Sequence, residues 1–410
     1  MPHGGYASLK IWMINHYAEP YGRHHNLALE LVRRGHRVVI FASSFDHKSR
    51  REERLAPGEK LRREDLDGVT FVWLRTPPYP GNTAARVWNM AVFAGRLWRG
   101  GKAAGFDPPD VIIGSSPHLF AALAAQRLAA SLHVPFVLEV RDLWPQSLVD
   151  LGDVSSRHPV VRGLEAIEKY LYCRAAKIIS LLPGAAEHMV GKGADQEKVV
   201  WIPNGISINL VPPAERPSNG GAFTVMYAGA HGLANALDAL LEAAHLVGAE
   251  AWGKGVRFRF IGDGPEKQRL QEVARKRELD NLYFDDPVPR NKVYSLLREA
   301  DAFVMPLKHS SVFRWGVSPN KLFDYMAAAR PVIFSVNSPN NPVEEAQAGL
   351  TVPPEEPHAL ARAVKELLEM SPEERWQMGL RGREYVEKHH SFQRLADKLE
   401  TVLENVVQKN

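Results

Sequence analysis

The chain has 410 residues, 45% of them hydrophobic and 24% charged, with a formal net charge of +4. That length predicts two or three domains with at least two full cores, and the single cysteine, Cys173, excludes an internal disulfide framework and a cysteine-based zinc cluster. The mild positive excess suits anionic ligands in general and singles out none.

The first half alternates β-rich runs with helical patterns. Strands are predicted at residues 10–15 (KIWMIN), 37–42 (RVVIFA), 69–74 (VTFVWL), 110–115 (DVIIGS), 135–140 (PFVLEV), 177–182 (KIISLL) and 199–202 (VVWI). Several are apolar on consecutive residues, the pattern of parallel strands buried on both faces. Between the first two, RHHNLALELVRRGH places Leu27 and Leu31 on one helix face and stops at Gly35, a fitting C′ glycine. The charged run at residues 48–65 reads as mostly a solvated loop. Residues 207–222, with three prolines and two glycines, read as a linker. The alternation resumes after it, with helices predicted near residues 235–247, 266–277, 292–299 and 320–329. At the end Leu395, Leu399, Leu403 and Val406 form the stripe of an amphipathic helix that can close the second domain or cross back to the first. The fold class expected is α/β: two tandem Rossmann-like domains, 1–206 and 223–388, facing across a cleft, followed by a helix at 389–410.

Motifs fall at the C-terminal ends of the predicted strands. In GVSPNKLFDYMAAARPVI, Ser318 suits an N-cap and Pro319 the first helical position, which puts Lys321 at the third. A cation opposes the positive end of the helix dipole unless an anion sits there, held by the free N–H groups and Lys321 together. Arg314 can join it. Equally, Lys321 can point into solvent and pair with Asp324 one turn on. Asp324 itself can accept a ribose or simply complement the dipole. IGDGP, with Gly262 and Gly264, is a weak phosphate signal and a good tight strand–helix turn. YAGAHG exposes backbone around Gly229 and His231, either toward a ligand or as an ordinary turn. In the first domain Gly22 permits close backbone approach before a helix. His24 and His25, about 100° apart on that helix, argue against a shared metal. Glu139, Arg141 and Asp142 converge with Trp144 at one strand end, where they can serve a site or brace the loop among themselves. His118 can reach the site or cap its helix. Between Arg86 and Lys102, basic and aromatic residues interleave as on a helix that lies on an anionic membrane, or one packed on its sheet.

Taken in order, RRGHRVVIFAS, SSPHL, VLEVRDLWP, IPNGI, YAGAHG, IGDGP and SPNKLFDYMAAARPVI resemble the family 4 retaining glycosyltransferases of the GT-B fold across nearly the whole chain. They are most similar to the subgroup that builds O-antigens and capsules. The resemblance implies a nucleotide-sugar donor, UDP-linked and often an N-acetylated aminosugar, and a saccharide or lipid-linked acceptor. Lys321 would hold the donor diphosphate and Asp324 the ribose, where relatives usually have glutamate. Gly22 would approach the diphosphate, and residues near Asp142 would line the sugar and acceptor site. The donor-contacting set is Gly22, Gly229, His231, Gly262, Gly264, Arg314, Ser318, Asn320, Lys321, Leu322 and Asp324, with Asp142 and Lys321 carrying the chemistry. Gly316 stands where the family's first acid belongs, Ala230, His231 and Asn235 where relatives carry arginine and lysine, Arg141 where they carry histidine, and Ala329 where glycine is common.

No metal or other cofactor is expected, and neither is a nucleic-acid partner. The expected setting is cytoplasmic, peripheral to the membrane's inner face if residues 86–102 bind lipid. No apolar run is long enough to span a bilayer, and the N-terminal stretch lacks a signal-peptide pattern. The alternatives are a UDP-sugar 2-epimerase of the same architecture, which would need no acceptor, and a non-catalytic nucleotide-sugar-binding protein.

Overall fold

A computed structural model describes residues 8–81, 84–100, 105–116, 118–151, 154–217 and 221–409. The chain forms two compact units: Met1–Asn204 together with Phe392–Asn410, and Gly205–Ser391.

The first unit runs β1 (Lys10–Ile14), α1 (Arg23–Arg33), β2 (Arg37–Ser43), a small hairpin of β3 (Phe45–Asp46) and β4 (Arg51–Glu52), β5 (Leu61–Leu66), β6 (Val69–Leu74), α2 (Ala84–Gly100), β7 (Val111–Ser115), α3 (Leu119–Leu132), β8 (Phe136–Val140), α4 (Gln146–Leu151), α5 (Pro159–Arg174), β9 (Lys177–Ser180), α6 (Ala185–Gly191) and β10 (Val199–Trp201). Eight strands make one sheet in the order β10-β9-β8-β7-β1-β2-β6-β5. All neighbours are parallel except β5 with β6. Strand alternation sends Ile11 and Met13 of β1 to one core, with Leu27 and Leu31 of α1. Trp12 turns to the other face, against Phe41. As the glycine at its end suggests, α1 stops at Arg33 and Gly35 follows with φ +94°.

One expectation is refined here. The charged run 48–65 is mostly loop, interrupted by β4 and ending in the antiparallel edge strand β5. The joint to β6 is the two-residue turn Asp67-Gly68, with φ +56° and +84°. Both central residues at positive φ define the type I′ turn that suits a twisted hairpin, so LDGV was the signal in the sequence.

The second unit runs β11 (Phe223–Ala228), α7 (Leu237–Ala249), β12 (Val256–Ile261), α8 (Lys267–Lys276), β13 (Leu282–Asp285), α9 (Arg290–Leu297), β14 (Ala302–Pro306), α10 (Asn320–Ala327), β15 (Val332–Ser335), α11 (Pro342–Glu345), β16 (Gly349–Val352), α12 (Pro357–Glu369) and α13 (Pro372–His389). Its six strands are all parallel, ordered β13-β12-β11-β14-β15-β16. Val225 and Tyr227 of β11 enter one core with α7 and α12. Met226, between them, enters the opposite core with α10. Both units are therefore doubly wound and Rossmann-like. Ile206 and Val211, at the start of the proline-rich stretch, are buried in that second core.

The last helix, α14 (Phe392–Gln408), joins the first unit. Leu395, Leu399, Leu403 and Val406 are buried in the same core as α1. At the edge of this packing, Arg34 pairs with Asp397 at 2.7 Å and His36 Nε2 with Glu400 at 2.8 Å.

In each sheet the chain reverses its direction of travel beside the first strand of the unit, next to β7 in the first and β14 in the second. Loops leaving opposite ways open a crevice at the strands' carboxyl ends there.

Candidate functional site

In the second unit the reversal point is occupied by Lys321. Leu322, Phe323, Tyr325 and Met326 bury one side of α10, which anchors the helix. Its start differs from the expected one. Pro319 is extended (φ −81°, ψ 124°) and occupies the cap position, so Asn320 begins the helix and Lys321 is its second residue. Ser318 is therefore not the N-cap. Just past the other end, Ala329 is left-handed at φ +56°, a conformation glycine takes more readily and the physical reason glycine is common there.

Lys321 does not point into solvent or pair with Asp324. Its Nζ donates to Tyr227 Oη at 2.9 Å and to Asn235 Oδ1 at 2.6 Å, and lies over the Tyr227 ring. Tyr227 Oη in turn donates to the Ala230 carbonyl at 2.6 Å. Burial lowers the ammonium to about 8, and among the described residues no carboxylate forms an ion pair with it. A desolvated cation held by two neutral oxygens, at a helix N-terminus, is an arrangement suited to an anion. Its aliphatic stem crosses Gly229, where an added Cβ would stand 3.1 Å from Nζ.

Gly262 and Gly264 shape the loop below. They have φ of +138° and +156°, and a Cβ on them would lie 2.1 Å from the Gly229 carbonyl oxygen and 2.4 Å from that of His231. The loops are laced by Gly229 N–H to Ile261 O (2.9 Å) and His231 N–H to Asp263 O (2.8 Å). Both glycines thus brace the Gly229 loop through backbone contact. His231 is fully buried among Tyr227, Phe260 and Phe284. Burial, with Lys267 next in effect, lowers it to about 4, so the ring is neutral.

The remaining donor candidates separate. Asp324 accepts from Tyr294 Oη at 2.8 Å. Arg314 is exposed, donates to the Ser311 carbonyl at 2.7 Å and lies over Trp315. Asn320 is exposed, whereas Leu322 is core and its N–H bonds the Pro319 carbonyl at 3.1 Å, so it supports the helix rather than lining a surface. Gly316 has φ +110°, a backbone that disfavours any acidic side chain at that position.

In the first unit, the reversal point holds a buried polar network around Glu139, the last residue but one of β8. Arg23 Nε meets Oε1 at 2.9 Å, while His24 Nε2 meets Oε2 at 2.6 Å and Ser115 Oγ donates to it at 2.5 Å. Asn15 Nδ2 donates to Ser115 Oγ at 3.0 Å. Arg23 also donates to the carbonyls of Ile202 (2.9 Å) and Pro203. Burial alone would raise the Glu139 carboxyl, but His24, Arg23 and Arg141 outweigh it and hold it well below the ordinary range. Glu139 is thus a structural hub whose ion-pair partner is Arg23, not the neighbouring Arg141. The sequence offered no sign of this, since Arg23 and His24 lie more than a hundred residues from Glu139.

Gly22 is the cap residue of α1, extended, with no acidic residue in the helix's first turn. A Cβ there would press to 3.0 Å from Glu19 Cγ. His25 turns away from His24, accepting from Tyr21 N–H at 2.9 Å. His118 caps α3, accepting from Ala121 N–H at 3.4 Å, while its Nε2 meets His16 Nδ1 at 2.6 Å. That cap places the His118 proton on Nε2, so His118 donates to His16. Asp142 keeps an exposed surface, yet desolvation by the surrounding protein raises its carboxyl, with Arg141 opposing.

Residues 22–205 match the family model described as a glycosyl transferase 4-like domain, and residues 222–370 the one described as glycosyl transferases group 1. The chain is 24% identical over 272 residues to WbjE of Pseudomonas aeruginosa, named as a probable glycosyltransferase, a match spanning 64% of this chain and 66% of that one. It is 24% identical over 296 residues to WcaI of Escherichia coli, named for colanic acid biosynthesis, over 68% and 70% of the two chains. These matches span about two thirds of the relatives' lengths. Among solved structures, HepE of Anabaena in complex with UDP and glucose is similar with a TM-score of 0.67 at 13% identity, covering 97% of this chain and 99% of that one. At that identity the likeness is one of fold.

Proposed function

The chain belongs to the family 4 glycosyltransferases of the GT-B fold, and from that premise we propose that it moves a sugar from UDP to a saccharide or lipid-linked acceptor in surface polysaccharide assembly, with retention at the anomeric carbon. The observation that carries this reading is Lys321, a half-buried ammonium with two neutral partners at the start of α10. The donor diphosphate supplies the missing counter-charge. UDP is favoured because HepE, of similar fold, binds it. Polysaccharide assembly is favoured by the likeness to WcaI, and an N-acetylated aminosugar by the resemblance of EVRDLWP and SPNKLFDYMAA to that subgroup.

The reaction as proposed breaks the bond between the anomeric carbon and the diphosphate oxygen and forms a new bond to an acceptor hydroxyl on the same face. The hydroxyl proton passes to the departing phosphate oxygen. Negative charge grows on the diphosphate, where Lys321 and the α10 N–H groups oppose it without reorganising. Asp142, its carboxyl raised and its surface open, orients the acceptor or the sugar. Because the counter-charge comes from the chain, turnover is expected to survive chelation of divalent metal.

Calorimetric titration with UDP and a panel of UDP-sugars tests the assignment. Lys321→Ala is expected to weaken UDP binding by about 10- to 100-fold, the scale of one lost charge-assisted hydrogen bond. Unchanged affinity in that variant would overturn the phosphate role. Transfer assays with saccharide and lipid-linked acceptors test the reaction, and release of UDP without acceptor-dependent product would count against it.

A further inference from the structure

Lys321 sits in a cradle whose polarity is fixed by one backbone carbonyl. The oxygen of Ala230 accepts from Tyr227 Oη at 2.6 Å and from Asn235 Nδ2 at 3.0 Å. Both partners spend hydrogens on it, so both turn lone pairs toward the ammonium. Asn235 Oδ1 lies 2.6 Å from Nζ and Tyr227 Oη 2.9 Å. The orientation of the Asn235 amide is forced from both sides, because a carbonyl cannot donate and an ammonium cannot accept. Tyr227 is fully buried on β11. The loop that carries Ala230 is tied down by the His231 N–H on the Asp263 carbonyl (2.8 Å) and the Glu266 N–H on the His231 carbonyl (3.0 Å). The two acceptors are therefore placed by the sheet and its loops before any ligand arrives.

An ammonium carries three hydrogens. The cradle takes two, and among the described residues no hydrogen-bond acceptor meets the third. The neighbouring charged groups are engaged elsewhere. Asp324 accepts from Tyr294 Oη at 2.8 Å, Lys267 pairs with Asp286 at 2.9 Å, and Asp263 accepts from the Gly264 N–H at 2.8 Å. His231 is neutral. Asparagine at 235 suits this arrangement where a second cation would not, since an ammonium there would repel Nζ and offer it no lone pair. A carboxylate there would fill the counter-charge position from within the chain.

We propose that Tyr227 and Asn235 are positioning residues, which act through Lys321 by taking two of its N–H groups and leaving the third for a phosphate oxygen of the donor. This rests on the reading of Lys321 as the group that holds the diphosphate.

Asn235→Asp and Tyr227→Phe test it, the first supplying a counter-charge from the chain and the second removing one acceptor while keeping the ring. UDP affinity should fall about tenfold or more in Asn235→Asp and about threefold to tenfold in Tyr227→Phe. A loss of packing alone would go no further. Positioning through Lys321 also moves the ammonium's own titration, followed without UDP by carbon-13 NMR of the lysine Cε, with Lys321→Met identifying the resonance. Its midpoint should rise by about 1–3 pH units in Asn235→Asp and fall in Tyr227→Phe. Wild-type midpoints in both variants overturn the proposal. So does wild-type UDP affinity in both beside a Lys321→Ala variant that binds weakly, a result that leaves the diphosphate reading standing. Undiminished UDP binding by Lys321→Ala overturns that reading and this proposal with it. If Tyr227→Phe melts early, Asn235→Asp, at a half-buried position, carries both readouts.

Discussion

The side chain of Lys321 lies directly across Gly229, so close that a single methyl group on residue 229 would stand 3.1 Å from Nζ and 3.2 Å from Cε. The glycine is there for what crosses it, since the crowding atoms belong to the far end of a lysine rather than to fixed backbone.

Gly229→Ala should therefore separate binding from stability. The flexible lysine end can give way by a few tenths of an ångström, leaving the melting temperature close to wild type. UDP affinity is expected to fall about tenfold, because the displaced ammonium no longer meets the phosphate squarely. Scanning calorimetry and a UDP titration on one preparation check both halves. In contrast, Gly262→Ala would drive a Cβ into the Gly229 carbonyl and cost stability as well.

Lys321 also sets a pH signature. Its ammonium is lowered from 10.5 to about 8 by burial, and only the protonated form opposes a diphosphate. UDP affinity should be flat below about pH 8 and fall above it, toward a tenfold loss per pH unit, a slope absent in Lys321→Met. The sign for folding is opposite. Between about 8 and 10.5 the unfolded lysine binds more protons than the folded one, so this group's contribution to stability rises with pH. Titrations and melts across that window distinguish the two trends.

Glu139 carries the acid limit of the first unit. Its carboxyl is held well below the ordinary value, so the stability it contributes is complete above the unfolded value near 4.5 and is lost as pH falls through the folded one. Glu139→Gln leaves Arg23 buried without its counter-ion and should destabilise by about 3–5 kcal/mol. Denaturant melts at neutral pH measure that loss, and melts below pH 4 should show the variant less acid-sensitive than wild type.

Asp142→Asn should leave UDP binding intact and lower turnover about a hundredfold, the scale of a misplaced reactant. Single-turnover kinetics beside a UDP titration check it. Undiminished turnover would remove Asp142 from the reaction.

The architecture was legible wherever local rules decide. Consecutive apolar residues marked the parallel strands, Gly35 ended α1, and the leucine stripe marked α14. The strand at the end of the charged run 48–65 was missed because charge was read ahead of turn chemistry. Asp67-Gly68 specifies a hairpin whatever charges flank it, and β5 stays charged because it is an edge strand. The site was half legible. A lysine against the helix dipole drew attention to Lys321 from position alone. Its partners Tyr227 and Asn235 lie 94 and 86 residues away, and those of Glu139 lie 116 and 115 away. Only the winding of each sheet brings such pairs together. Leu322 shows the reverse error, a residue beside the key lysine in sequence and on the opposite side of the helix from it in purpose.

The position of α14 bears on the order in which the protein is built. The core that Leu395, Leu399 and Leu403 complete was begun by Ile11 and Leu27, so the amino-terminal unit must wait, unfinished, while everything between is synthesised. The later-made unit has all its own strands by residue 352 and its last helix by residue 389. It can close first, which makes α14 the keystone of the half of the molecule that emerged earliest. Removing α14 is expected to expose the α1 face of an otherwise complete sheet, and to leave the second unit's fold untouched.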